Sequence, residues 1–224
     1  MRLTIPLPAL LRRMLLASAG LAVFALGNFL TVKANIGQAP WNVFNLGLAN
    51  YLPMTYGQVS ILVSFLVVAA DLVLREPIGL GTLLDAVLVG AFFDLYDAAG
   101  LLPEITVWWV GALAMLAGMV LMALSQYLYM SACIGCGPRD ALLVGVGKRL
   151  RRIPIGGVSI LIAGTVLLLG WLMGGQVGAG TVLFLVGNGV VMQMVFHLIR
   201  FEPRNLVHVG LHQLLSRERK GVER

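Results

Sequence analysis

Two short stretches that interrupt long apolar runs carry the polar side chains best placed for chemistry: Gly37-Gln38-Ala39-Pro40-Trp41-Asn42 and Gly135-Cys136-Gly137-Pro138-Arg139-Asp140. A helix broken inside a bilayer leaves backbone N–H groups unpaired, and such backbone is tolerated at depth only where protein or a water-filled cavity covers it. Those N–H groups and the helix dipole favour an anion or a carboxylate at each helix start. The alternative is that Asn42 and Asp140 merely cap or brace the starts. Pro40, Trp41, Asn42, Pro138, Arg139 and Asp140 are therefore candidate substrate-binding residues. Asn28 and Gln126, one or two turns upstream of the breaks, join them, either lining a pathway or hydrogen-bonding across the molecule. Asp85 and Asp94 share another apolar run and are candidates for ion or proton coupling, because a carboxyl in hydrocarbon needs a proton or a cation. Asp71 has Arg75 four positions on, the spacing of a helical ion pair.

Other motifs carry less. Gly79-Leu80-Gly81-Thr82 and Gly178-Ala179-Gly180-Thr181 follow no strand and precede no Lys, so they are not phosphate loops. Gly79, Gly81, Thr82, Gly178, Gly180 and Thr181 read instead as helix-packing residues, small enough to let helices approach closely. Cys133 and Cys136 form a C-x-x-C without a thioredoxin-like context, and reduced thiols are expected. His197, His208 and His212 form no ligand cluster with acids, and no nucleophile constellation is found, so neither a metal, a cofactor nor enzymatic activity is expected.

The elements that position these residues are membrane helices. The chain has 224 residues, is 59% hydrophobic and 12% charged, and holds 27 Gly, which is more apolar side chain than a soluble core of this size can hide. Apolar runs recur at 15–32, 59–74, 80–93, 107–130, 158–173 and 182–199, predicting six spans. The first could pass for a secretory signal, but it has a partner later in the chain and reads as a span. The formal charge of +6 is explained by basic cytoplasmic loops rather than by nucleic acid.

That partner emerges from an internal repeat. A shift of 98 residues places Gly20 on Gly118, Asn28 on Gln126, Ala34-Asn35-Ile36-Gly37 on Ala132-Cys133-Ile134-Gly135, and Pro40 on Pro138. After one inserted residue, Val59-Ser60-Ile61-Leu62 meets Val158-Ser159-Ile160-Leu161, and Gly79, Gly81, Thr82 and Gly90 meet Gly178, Gly180, Thr181 and Gly189. Matching Gly and Pro rather than interchangeable aliphatics marks true repetition. Each unit reads as a span, a short Pro-initiated segment and two further spans. The short segments, 40–52 and 138–150, reach only about 20 Å as helices, too little to cross about 30 Å of hydrocarbon.

The expected organisation is a cytoplasmic N-terminus over 1–13, repeat 1 over 14–97, an outer loop over 98–106, repeat 2 over 107–199, and a basic amphipathic cytoplasmic tail over 200–224 lying on the inner leaflet. If the short segments cross, each unit has four spans, both units point the same way, and Arg75 and Arg139 move outside and the acidic loop inside. With three spans per unit the repeats are inverted, which fits the charges better. This places Arg12, Arg13, Arg75, Arg139, Lys148, Arg149, Arg151, Arg152 and the basic tail inside, leaving Lys33 and the acidic loop around Asp97 and Glu104 outside. Trp108, Trp109 and Trp171 then sit at the outer interface. The fold class expected is an all-α integral membrane protein of six transmembrane helices in two inverted three-span repeats.

From about Gly20 to Ile199 the chain resembles the YczE/YyaS/YitT-like family of small bacterial multi-pass membrane proteins. The resemblance rests on Pro40-Trp41-Asn42, Gly79-Leu80-Gly81-Thr82 with Gly90 and Asp94, Gly137-Pro138-Arg139-Asp140, and Gly170-Trp171-Leu172-Met173-Gly174-Gly175 with Gly180-Thr181. That family usually reads Pro-Trp-Asp at the first break, where this chain has Asn42. The resemblance implies a bacterial inner-membrane location and carries no assigned activity. Paired broken helices favour a small-solute transporter or channel, with a site between the two breaks. The alternatives are a non-transporting accessory or regulatory protein, and an intramembrane redox role for Cys133 and Cys136. Partners expected are the lipid bilayer, an unknown small solute and, as an option, a second copy in a homodimer.

Overall fold

A computed structural model describes residues 6–201. The basic tail, including His208 and His212, lies outside the described residues apart from its first two positions. Among the described residues the structure is all helical: α1 (Leu7–Lys33), α2 (Pro40–Ala49), α3 (Tyr56–Val73), α4 (Leu80–Ala98), α5 (Trp108–Ser131), α6 (Pro138–Arg149), α7 (Ile155–Leu172) and α8 (Ala179–Leu198). Five of them, α1, α3, α5, α7 and α8, are long and apolar enough to cross a membrane. α4 is 19 residues long but carries Asp85, Asp94 and Asp97. At 10 and 12 residues, α2 and α6 are about 15 and 18 Å long, shorter than a bilayer's hydrocarbon.

α1 begins well before the apolar run at 15–32, so residues 7–13 are already helical. Pro6 precedes the first turn, Pro8 sits in it, and Leu10 is buried in the cluster that α1 shares with α4 and α5, while Arg12 is exposed and Arg13 half-buried. The short helices end at Ala49 and Arg149, a little before the expected limits of 52 and 150.

The centre of the molecule is the α1–α5 pair. Its spacing is set by glycine: a Cβ on Gly20 would press on Ser125 and Tyr129, one on Gly27 on Gly118 and Met122, and one on Gly111 on Ala34. Rising numbers on one helix meet falling numbers on the other, so α1 and α5 run antiparallel. Helices without side chains between them approach closely and gain dispersion contacts that lipid cannot supply.

Around this pair the contacts recur in matched form. α4 packs on α1 as α8 packs on α5, and α2 lies on α7 as α6 lies on α3. Asn35 and Cys133 both adopt the left-handed conformation (φ 52° and 54°), and each is followed two residues later by a positive-φ glycine, Gly37 and Gly135. Only glycine adopts the φ values of 113° and 139° at those two positions without strain.

The starts of α4 and α8 each grip the break of the other sequence repeat. Gly81 N–H donates to Ile134 O (2.9 Å) and the Thr82 hydroxyl to Cys136 O (2.6 Å). Correspondingly, Gly180 N–H donates to Ile36 O (2.8 Å), and the Thr181 hydroxyl oxygen accepts from Gln38 N–H (3.0 Å). These bonds satisfy backbone that no helix ladder serves, as buried irregular backbone requires. The six small residues expected at helix contacts are thus where backbones touch: a Cβ on Gly79 would strike Ile134 and Gly135, and one on Gly178 would strike Ile36 and Gly37.

One end of the bundle gathers the Lys33–Asp97 ion pair (2.7 Å), Gln176 bonded to Asn35 (2.6 Å) and Asn50 bonded to Met173 O (3.2 Å). The other gathers Lys148 paired with Glu76 (2.6 Å) and Arg149 bonded to Leu74 O (3.0 Å). The helix-spaced pair of Asp71 with Arg75 does not form. α3 ends at Val73, Arg75 turns into the left-handed region (φ 57°), and the Asp71 carboxylate is buried without a hydrogen-bond partner among the described residues.

Candidate functional site

The first turns of α2 and α6 meet in the middle of the bundle. Pro40 and Pro138 start these helices at positions where no backbone donor is needed, and neither helix has a side-chain N-cap. The contact is made by side chains: the Arg139 guanidinium stacks 4.8 Å from the centre of the Trp41 ring, a geometry in which a cation is held by the ring's negative face. Since the C-terminal ends of α2 and α6 lie at opposite ends of the bundle, the two helix dipoles point their positive ends at one another.

A cavity of about 420 Å³ opens at this meeting point. It is lined by every candidate substrate-binding residue named from sequence, Asn28, Pro40, Trp41, Asn42, Gln126, Pro138, Arg139 and Asp140, and by Asp85 of α4. Arg139 is the one cationic side chain among the lining residues, and it forms no ion pair with a described residue. Asp85 and Asp140 converge on Gly137: a Cβ there would lie 2.9 Å from Asp85 Oδ2 and 3.5 Å from Asp140 Oδ2. Glycine at 137 therefore leaves room for the two carboxylates to share one corner of the cavity, with Arg139 immediately before Asp140 in sequence. An apolar protein interior makes such charges cooperate, because unbalanced charge in low dielectric is costly.

Asn42 does not cap α2. Its amide donates to Asn28 Oδ1 (2.7 Å), the Tyr56 hydroxyl donates to Asn42 Oδ1 (2.9 Å), and Asn28 Nδ2 donates back to Tyr56 (3.3 Å). The closed triangle ties α1, α2 and α3 and holds the first turn of α2 at the cavity wall, with Asn28 and Asn42 only 5% and 2% exposed. Asn28 thus bonds within its own repeat rather than across the molecule. Its repeat mate Gln126 lines the cavity from α5.

Asp94 belongs elsewhere. Its carboxylate accepts from Gly57 N–H (2.8 Å) and from the Thr55 hydroxyl, sealing the start of α3 against the end of α4, outside the cavity lining. This is helix-terminus bracing, and it sets Asp94 apart from Asp85, the other residue expected to couple an ion or proton. Asp94→Ala is expected to lower the midpoint of thermal unfolding in detergent, through a loss of about 1–2 kcal/mol, while leaving the cavity chemistry in place. An undiminished midpoint would remove this assignment.

Sequence reasoning missed Tyr56, Tyr129, Ser60, Ser64, Ser125, Ser159 and Asn188. Tyr56 closes the triangle and the other six line the cavity. Tyr129 is 7% exposed, and its hydroxyl has no hydrogen-bond partner among the described residues. A signal existed for part of this: Ser60 and Ser64 stand one turn apart on α3, and Ser159 is the repeat mate of Ser60.

A family model described as a family of unknown function, DUF6198, matches residues 11–197. An "Uncharacterized protein" of Haemophilus influenzae is 33% identical over 183 residues, covering 82% of this chain and 83% of its own. The "Uncharacterized membrane protein YczE" of Bacillus subtilis is 31% identical over 180 residues, covering 78% and 81%. The "Uncharacterized protein YyaS" of the same organism is 24% identical over 186 residues, covering 80% and 90%. No solved structure matches the chain. YczE and YyaS are two of the proteins whose family the motifs resemble, and a multi-pass membrane protein accords with both the helices and the YczE description. The chain belongs to the DUF6198 family.

Proposed function

We propose that this protein passes a small solute across the bacterial inner membrane, binding it between the first turns of α2 and α6. The observation that carries the reading is the cavity itself: a roughly 420 Å³ space among apolar helices, with one guanidinium, two carboxylates and two opposed helix N-termini at its walls. Charge placed among apolar spans is costly in a membrane protein, and where it faces a cavity it is the usual mark of a solute or ion pathway. An anionic group of the solute fits Arg139 and the helix N-termini, and a cationic group or a proton fits Asp85 with Asp140.

The architecture that accompanies this reading has six spans, α4 being the sixth, in two inverted repeats, with α2 and α6 entering from opposite faces and both termini cytoplasmic. It is supported by antiparallel α1 and α5, by the matched grips of α4 and α8 on the opposite breaks, and by the gathering of Glu76, Lys148 and Arg149 at the end away from Lys33 and Asp97. Excess Lys and Arg marks the cytoplasmic side.

Sidedness is tested before any substrate is known. Single cysteines at Tyr51 and Arg152, both exposed just beyond the short helices, are introduced after Cys133 and Cys136 are replaced. In intact cells an impermeant maleimide is expected to label position 51 from outside and position 152 only after permeabilisation. Labelling of both from one side contradicts the inverted arrangement. Flux is then measured in liposomes with small anions, amino acids and cations; a folded, correctly oriented protein that moves none of them favours the accessory or regulatory alternative.

A further inference from the structure

The two repeats pack their helices in matched pairs, and the largest departure is at one seam. In the first, α3 packs on α4 through Gly57 and Gly90, each of which would drive a Cβ into the backbone of the other. The seam is sealed by Gly57 N–H donating to Asp94 and by Tyr56 lying 4.1 Å from the Phe93 ring, centre to centre. In the second, the equivalent glycines are Gly156 on α7 and Gly189 on α8. Both face open space, with no atom within 4 Å of where a Cβ would be, and α7 and α8 show no packing comparable to that of α3 and α4. The cavity reaches into that gap, taking Ser159 and Ala163 of α7 and Phe184, Leu185, Asn188 and Met192 of α8 into its lining.

We infer that the α7–α8 seam is a lateral gate of the cavity, open in this structure, which closes by bringing Gly156 onto Gly189 as Gly57 meets Gly90. The inference rests on the proposed reading of the cavity as a solute site and adds the route by which that site is reached. Glycine in a helix costs about 1 kcal/mol relative to alanine, and lipid-facing positions with free space gain nothing from it. Gly156 and Gly189 gain their use in the closed form. There Gln193, the repeat mate of Asp94, stands where its side-chain oxygen can accept from Gly156 N–H, an otherwise unpaired donor in the first turn of α7. The seams differ in the bond that seals them, a carboxylate in the first and a neutral amide in the second. Charge-assisted bonds are about twice as strong as neutral ones, so the first seam is the fixed one and the second the mobile one.

Gly164 supplies a built-in control. It also faces open space on α7, but its repeat mate is the exposed Phe65, so the closed form makes no use of it. The test is a distance measurement by pulsed electron spin resonance, with spin labels at Leu161 and Val186 on a cysteine-free background in phosphatidylethanolamine–phosphatidylglycerol nanodiscs. The repeat-mate pair Leu62 and Val87 supplies the closed reference distance. Two populations are expected for the Leu161–Val186 pair, one at the reference distance and one longer. Gly156→Leu combined with Gly189→Leu is expected to abolish the short population, and Gly164→Leu to leave both. A single population in the unsubstituted protein, at either distance, overturns the gate, as does a short population that survives the double substitution. These distances are read without any transported solute. Two populations with no flux would therefore remove the transport reading alone, and flux with one population would remove the gate alone.

Discussion

Arg139→Gln is expected to lower solute flux in liposomes by about 30-fold or more, with the protein still folded. Removing one partner of the charge pair that an anionic solute would form with the guanidinium typically costs about 2–5 kcal/mol, and each 1.4 kcal/mol is a factor of ten in binding. Arg139 earns this estimate by position: it is stacked on Trp41, stands in the first turn of α6, and is the one cationic side chain among the residues lining the cavity. Arg139→Lys keeps the charge but loses the planar face that meets the indole, so an intermediate loss is expected. Arg139→Gln also leaves Asp85 and Asp140 together without their neighbouring cation. Unchanged flux in folded Arg139→Gln would exclude the guanidinium from solute binding.

The largest expected effect on folding is at Gly118. A Cβ there would sit 2.6 Å from Gly27 O and 2.7 Å from the Thr31 methyl, and neither neighbour can yield without parting α1 from α5. Gly118→Leu is expected to cost about 3 kcal/mol or more, enough to leave little folded protein after detergent extraction, as read by size-exclusion chromatography. Gly164→Leu, on a helix surface with no neighbour in reach, serves as the matched case and is expected to run as the parent does. Equal yields of the two variants would show that the α1–α5 crossing is not the close contact described.

Much of this arrangement could be read from residue types. Pro40 and Pro138 start the short helices, the positive-φ glycines fall in both breaks, and the paired small residues sit at backbone contacts, because Gly and Pro act through backbone geometry that is local and repeats with the sequence. The residues named around the breaks line one cavity for the same reason. Side chains whose role depends on a distant partner were less legible. Asp94 looked like an acid in hydrocarbon, yet its partners, Thr55 and Gly57, lie on another helix, and nothing near position 94 indicates them. Asn42 looked like a cap, but the triangle with Asn28 and Tyr56 needs three helices to be placed first. Tyr129 and the cavity serines were hidden in spans apolar on nearly every face, where periodicity gives little sign of which side turns inward. The grip of α4 on the second break and of α8 on the first escapes sequence altogether, since Gly-x-Gly-Thr specifies a close approach without specifying to what.

That mutual grip bears on biosynthesis. The amide of Gly81 and the hydroxyl of Thr82 find their acceptors at Ile134 and Cys136, more than fifty positions downstream. A nascent chain that has released α4 from the translocon still lacks the segment that completes it, and the amide of Gln38 waits longer still, for Thr181. Completion of the first unit therefore waits on the arrival of the second.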